Sequence, residues 1–164
     1  MFGERTQRGA CCGGMTRELL SVLAEGYEGP RQSLTYFLDS GRDAGLRPTL
    51  AKLSAAEASR EWGGNSIAAH AHHVLFSFEA FGAFIRGDRA SRDWDESWRV
   101  KTVDDAQWTR LQEDLGREYQ AVREAIRAHA ETGDEALRGA LAAVAHLAYH
   151  IGAIRQKLAA MRTA

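Results

Sequence analysis

Apolar residues recur at helical spacing in four long stretches of the chain, and strict two-residue alternation is absent between them. The first stretch runs through Leu19, Leu20, Leu23, Tyr27, Leu34, Phe37 and Leu38 behind Thr16, a residue suited to an N-cap, and predicts a helix over 16–40. Gly26 and the Gly29-Pro30 pair should kink or interrupt it. The segment "DSGRDAGLRP" then breaks the pattern. Ser54 and Glu57 have the spacing of a capping box and predict a short extra helix. Ser66 caps a second long helix over 67–86, with Ile67, Ala71, Val74, Phe78, Phe81 and Ile85 on one stripe and Gly87 as its stop. Residues 88–103 are polar with Trp94 and Trp98 embedded, and read as a long crossover loop. Asp104 and Gln107 form a second capping box before a helix over 105–130. After the turn "ETGD", a fourth helix over 135–161 carries Ala140, Val144, Leu147, Ile151, Ile154 and Leu158 on one stripe. No hairpin signal is visible. The pattern predicts an all-α fold, a four-helix bundle with long crossover loops and one short extra helix.

Composition narrows the functional classes. The chain has 164 residues, enough to bury one core, and is 45% hydrophobic and 26% charged. With 21 basic and 22 acidic residues the formal net charge is −1, so no overall field draws the chain to nucleic acid or to an anionic membrane. The apolar runs are interrupted well short of a membrane-spanning length of about 18 residues. The only cysteines, Cys11 and Cys12, are adjacent and cannot staple distant segments, which makes a reducing cytoplasm the expected location. Residues 1–14 are Gly-rich without an apolar signal region and read as a flexible N-terminal tail, with the domain over 15–164.

Five of the six histidines fall in "HAHH" and "HLAYH". His146 and His150, four residues apart, stack one turn apart on the flank of the last helix's apolar stripe, where two imidazoles can reach one ion. On the second long helix His70 and His73 share a shoulder of the stripe, whereas His72 points to the polar side with Glu79 and Arg86. Side chains on facing helices build metal sites in bundles in this way. Buried neutral histidines that merely pack are the competing explanation, and spacing alone leaves both open.

The segments "GGNSIAAHAHHV" and "HLAYHIGAI" resemble the DinB/YfiT-like superfamily of metal-binding four-helix bundles. In that pattern a Ser or Thr caps the second helix and a histidine follows seven residues later, before an aliphatic residue; here these are Ser66, His73 and Val74. The family's His-x-x-x-His pair, a small residue and an isoleucine are matched by His146, His150, Gly152 and Ile154. The resemblance implies His73, His146 and His150 as ligands of a divalent metal ion, Zn or Ni by the softness of imidazole. Ala153 departs from the pattern, since many members carry Gln or His there, and His70 stands where an aliphatic residue is usual. His70 is therefore a second-shell partner or a fourth ligand.

The resemblance further implies metal-assisted hydrolysis or transfer chemistry with a low-molecular-weight thiol, on a small-molecule substrate. A hydrolase needs a general base, and Glu79, the only carboxylate of the second helix, faces away. A thiol transferase needs a cationic pocket, for which Arg155 is the candidate, its alternative being a surface charge. No catalytic residue is assigned. The rival class is a non-catalytic helical stress-response or binding module whose metal is structural or absent. Trp94 and Trp98 either line the site's mouth or a subunit contact, or anchor the loop; monomer and homodimer both stay open.

Overall fold

The computed structural model describes residues 12–31, 35–39, 41 and 43–163, and most of the expected tail lies outside them. The elements in chain order are α1 (Cys12–Glu28), α2 (Leu46–Leu50), α3 (Ala55–Ser59), β1 (Glu61–Trp62), β2 (Asn65–Ser66), α4 (Ile67–Ile85), α5 (Asp105–His129) and α6 (Asp134–Thr163). A 3-10 turn, Trp94–Trp98, lies in the crossover between α4 and α5. The all-α expectation holds, with a strand content of one two-residue pair.

The first helix departs from expectation at both ends. It begins at Cys12, and Thr16 lies inside it rather than capping it. Thr16 instead donates from its N–H and its hydroxyl to the Glu131 carboxylate at 3.2 and 2.7 Å, tying α1 to the turn before α6. It ends at Glu28 because Gly29 takes φ = +99°, and Pro30 follows. Gly26 does not interrupt the helix. A Cβ there would come within 2.9 Å of Leu147 Cδ2, so its bareness lets α1 sit close to α6. Phe37 and Leu38 continue the apolar spacing but lie beyond the helix, held by a side chain of it. The buried Glu25 carboxylate accepts the N–H groups of Tyr36, Phe37 and Leu38 at 2.9–3.0 Å. Burial alone would raise the Glu25 pKa, but these three donors outweigh it and hold the carboxyl below its ordinary value.

Two short elements escape the sequence pattern. Helix α2 spans one turn, with Pro48 in the first turn, where its missing N–H has no intrahelical partner to lose. Strands β1 and β2 pair antiparallel, Glu61 opposite Ser66 and Trp62 opposite Asn65, around Gly63 and Gly64, both at positive φ. A two-residue turn with two positive φ values is the hairpin geometry that Gly-Gly supplies, so a hairpin exists where none was expected.

Three of the expected caps form, at Ser54, Ser66 and Asp104, whereas Asp134, expected to cap the last helix, lies inside α6. Ser54 and Glu57 bond reciprocally at the start of α3, as do Asp104 and Gln107 at the start of α5. Ser66 Oγ accepts the Ala69 N–H at 3.0 Å and fixes the start of α4. Helix α4 packs against both α5 and α6, and α1 against α5 and α6. Their apolar faces form one core, in which Leu23, Ile67, Val74, Phe78, Leu115, Val122, Leu147, Ile151 and Ile154 are at most 1% exposed. Residues Asp134–Arg162 of α6 are long and apolar enough to cross a membrane by length and composition, contrary to the reading of interrupted runs. Core helices of soluble proteins pass the same test, and the apolar stripe of α6 lies in this shared core.

Replacing Glu25 by Ala should remove the acceptor for three backbone donors and lower unfolding stability by about 2–4 kcal/mol, with helicity retained. Denaturant melts followed by circular dichroism check this, and an unchanged midpoint would contradict the bracing role.

Candidate metal centre

Ser66 sets the phase of α4, so that His70 and His73, three residues apart, both turn inward and are 7% and 5% exposed. From α6, His150 is buried and His146 half-buried on the facing surface. The ligating nitrogens of His73, His146 and His150 all lie within 4.8 Å of one another. Nε2 of His73 and Nε2 of His146 are 3.0 Å apart. Two nitrogens bound at about 2.0–2.1 Å to one tetrahedral ion are separated by roughly 3.3 Å, so this pair is spaced for a shared cation. The three residues expected as ligands are therefore the three that converge.

His70 stands beside this group and outside it. Its Nδ1 lies 3.0 Å from Nδ1 of His150, which leaves Nε2 as the free ring nitrogen of His150. A bond of this kind fixes the orientation of an imidazole from its far side. Of the two roles open to His70, the geometry matches the outer partner.

The crossover supplies what the sequence did not reveal. Ser97, fully buried, donates its hydroxyl to the Trp94 carbonyl at 2.5 Å and contacts Nδ1 of His73 at 2.6 Å. A hydroxyl has one proton, already given to Trp94, so His73 Nδ1–H must be the donor in the second bond. The lone pair of His73 then resides on Nε2, facing His146. His72, expected in solvent, is half-buried, and its Nδ1–H donates to the Ser97 carbonyl at 2.8 Å. Trp98 stacks on the His73 ring with centroids 4.1 Å apart and stands edge-on to His70 at 5.3 Å. Trp94 and Phe81 lie 6.1 and 5.5 Å from the His146 ring. Both tryptophans therefore wall the site as well as anchor the loop. The only sequence signal for this was a pair of aromatic residues four apart in a polar segment.

Burial of the rings disfavours their protonated forms, and each neighbouring imidazole would add repulsion. His150 is lowered to about 3 and His73 to about 4 by burial first and by the other histidines second. His70 is lowered to about 4 by burial and by Lys157, and His146 is lowered by burial. At neutral pH all four are uncharged, the form in which imidazole offers a lone pair to a metal. Among the described residues no carboxylate bonds to any of the four. Glu79 is exposed, its pKa raised by partial burial first and then by the Glu118 charge. Arg155 pairs with Asp39 and lines a groove between α2–α3 and the end of α6 that contains no histidine.

In comparisons with family models, with curated proteins and with solved structures, no match to this chain was found.

The lowered histidine values fix a pH dependence for the metal-free protein. Above about pH 6.5 the histidines are neutral both folded and unfolded, and they impose no penalty. As pH falls below that value the unfolded chain takes up protons that the folded site refuses until about pH 4 or below, so stability declines. Thermal melts in chelator between about pH 7.5 and 5, where carboxylates stay largely ionised, should show a falling midpoint. A flat profile would contradict the burial of neutral imidazoles.

Proposed function

We propose that the chain is a divalent-metal-dependent enzyme of the DinB/YfiT-like kind, a four-helix bundle in which His73, His146 and His150 hold the ion. The observation that carries this reading is the convergence of three ligating nitrogens within 4.8 Å, with the His73 lone pair directed inward by Ser97. Three neutral imidazoles without a thiolate or carboxylate suit Zn or Ni. Three protein ligands leave an open coordination position, where a bound ion acidifies a water or a thiol.

The chain's own residues divide the remaining work. Ser97 and His70 orient two of the rings, and Trp98 covers the His73 face. The lack of a carboxylate bonded to the cluster among the described residues leaves hydrolysis without a general base. Arg155, the cation expected to receive a thiol's carboxylates, pairs with Asp39 in a groove without histidines, so hydrolysis and thiol transfer both stay open. The non-catalytic alternative is kept by one observation: His70, 3.0 Å from His150, is near enough to close the site if its ring turned inward.

Metal analysis of the untagged protein, purified without a nickel column, should find about one divalent ion per chain, consistent with a single three-ligand site. The His146→Ala variant should lose that ion yet stay folded, because a core spread over four helices loses only a few kcal/mol with one flanking ring. Global unfolding on chelation would instead make the metal structural. In Ser97→Ala the His73 ring loses its anchor, and metal affinity should drop by about 10- to 100-fold with helicity unchanged. Competition titration with a chromophoric chelator reads this, and undiminished affinity would contradict the anchoring role.

A further inference from the structure

A cavity of about 410 Å³ lies between the second half of α4, the start of α6 and the segment leading to Trp94, and no histidine lines it directly. Its size falls in the range of small-molecule sites. Two of its walls, Phe81 and Trp94, are the same side chains that flank His146. Phe84 extends the apolar wall, and Arg89, Arg92 and Arg138 line the cavity with Asp88 as the one acidic residue.

The charges are unequally committed. Arg89 pairs with Glu135 at 2.7 Å and lies over the Phe84 ring at 4.0 Å. Arg92 reaches Asp88 at 3.4 Å, a long pairing. Arg138 is exposed and makes no ion pair or hydrogen bond among the described residues, although its charge acts on Glu135 after that of Arg89. An aromatic and aliphatic cavity with one guanidinium outside any ion pair, Arg138, and a second held only at 3.4 Å, Arg92, is suited to an organic anion carrying a flat apolar body. Guanidinium recognises carboxylate or sulfonate through paired N–H donors, while the rings take the body.

We infer that this cavity anchors the substrate, an aromatic or otherwise apolar organic anion whose acidic group meets Arg138 and Arg92 and whose other end lies by His146. The substrate role rests on the metal reading above, whereas occupancy of the cavity does not. The larger groove that contains Arg155 shares no wall with the histidines and is not assigned this role.

The test uses the full chain in chelator, with 8-anilinonaphthalene-1-sulfonate as the anionic probe and N-phenyl-1-naphthylamine as its neutral counterpart. Fluorescence titration should saturate near one anionic probe per chain. Charge reversal in Arg92→Glu with Arg138→Glu should weaken the anionic probe by at least about tenfold and leave the neutral one within about twofold, tenfold being about 1.4 kcal/mol. Ala142→Trp, which fills the cavity from α6, should abolish binding of both probes. Circular dichroism verifies that each variant is folded. Equal loss of both probes in the charge reversal, or undiminished binding in Ala142→Trp, would overturn the assignment. Metal content, measured separately on the same variants, distinguishes the two readings. A metal-free protein that still binds the probe defeats the metal centre and leaves the cavity standing; a metal-loaded one that binds no probe does the reverse.

Discussion

Burying the imidazoles of His70, His73 and His150 between α4 and α6, with His146 half-buried beside them, is the constraint to which much of this structure answers. Each ring exchanges water for apolar neighbours and must remain neutral, since a charged imidazole in that environment carries a large desolvation penalty. A neutral imidazole has one donor and one acceptor, and both need partners when the ring is buried. The surroundings supply several of them: Ser97 takes the His73 donor, His70 pairs with the far side of His150, and the inner nitrogens of His73 and His146 face one another. The bond to Ser97 leaves the lone pair of His73 facing the His146 ring.

The rest of the chain keeps that arrangement in register. Ser66 caps α4, and its hydroxyl also donates to the Lys101 carbonyl at 2.5 Å. The end of the crossover is thus fixed to the start of the helix that bears His70 and His73. Some residues earlier, the carbonyl and hydroxyl of Ser97 take bonds from His72 and His73. A 3-10 turn held at both places brings Trp98 onto the His73 ring. Helix α6, placed by the close approach of α1 at Gly26, delivers His146 and His150 to the same face.

The features legible in the sequence were local ones. Capping side chains at Ser54, Ser66 and Asp104 act on donors three residues away, and the helices they open start where the pattern placed them. The His-x-x-x-His spacing needs only helical geometry to bring its rings together. What escaped depends on distant partners or on very short elements. Apolar spacing carried α1 too far because Phe37 and Leu38 keep the period, while the backbone there is captured by Glu25, eleven to thirteen residues earlier. The Gly63–Gly64 hairpin has two residues per strand, too few to show alternation. Ser97 could not be found at all, because its meaning comes from histidines on another element.

The central claim is that His73, His146 and His150 share one ion with a coordination position left open. X-ray absorption at the metal edge of the purified protein tests it most directly. The account predicts three imidazole nitrogens at about 2.0–2.1 Å, with their outer-ring scattering, and at least one light non-protein ligand, the metal signal itself being lost in His150→Ala. A shell of four imidazoles, a sulfur ligand, or a spectrum unchanged by that substitution would contradict it.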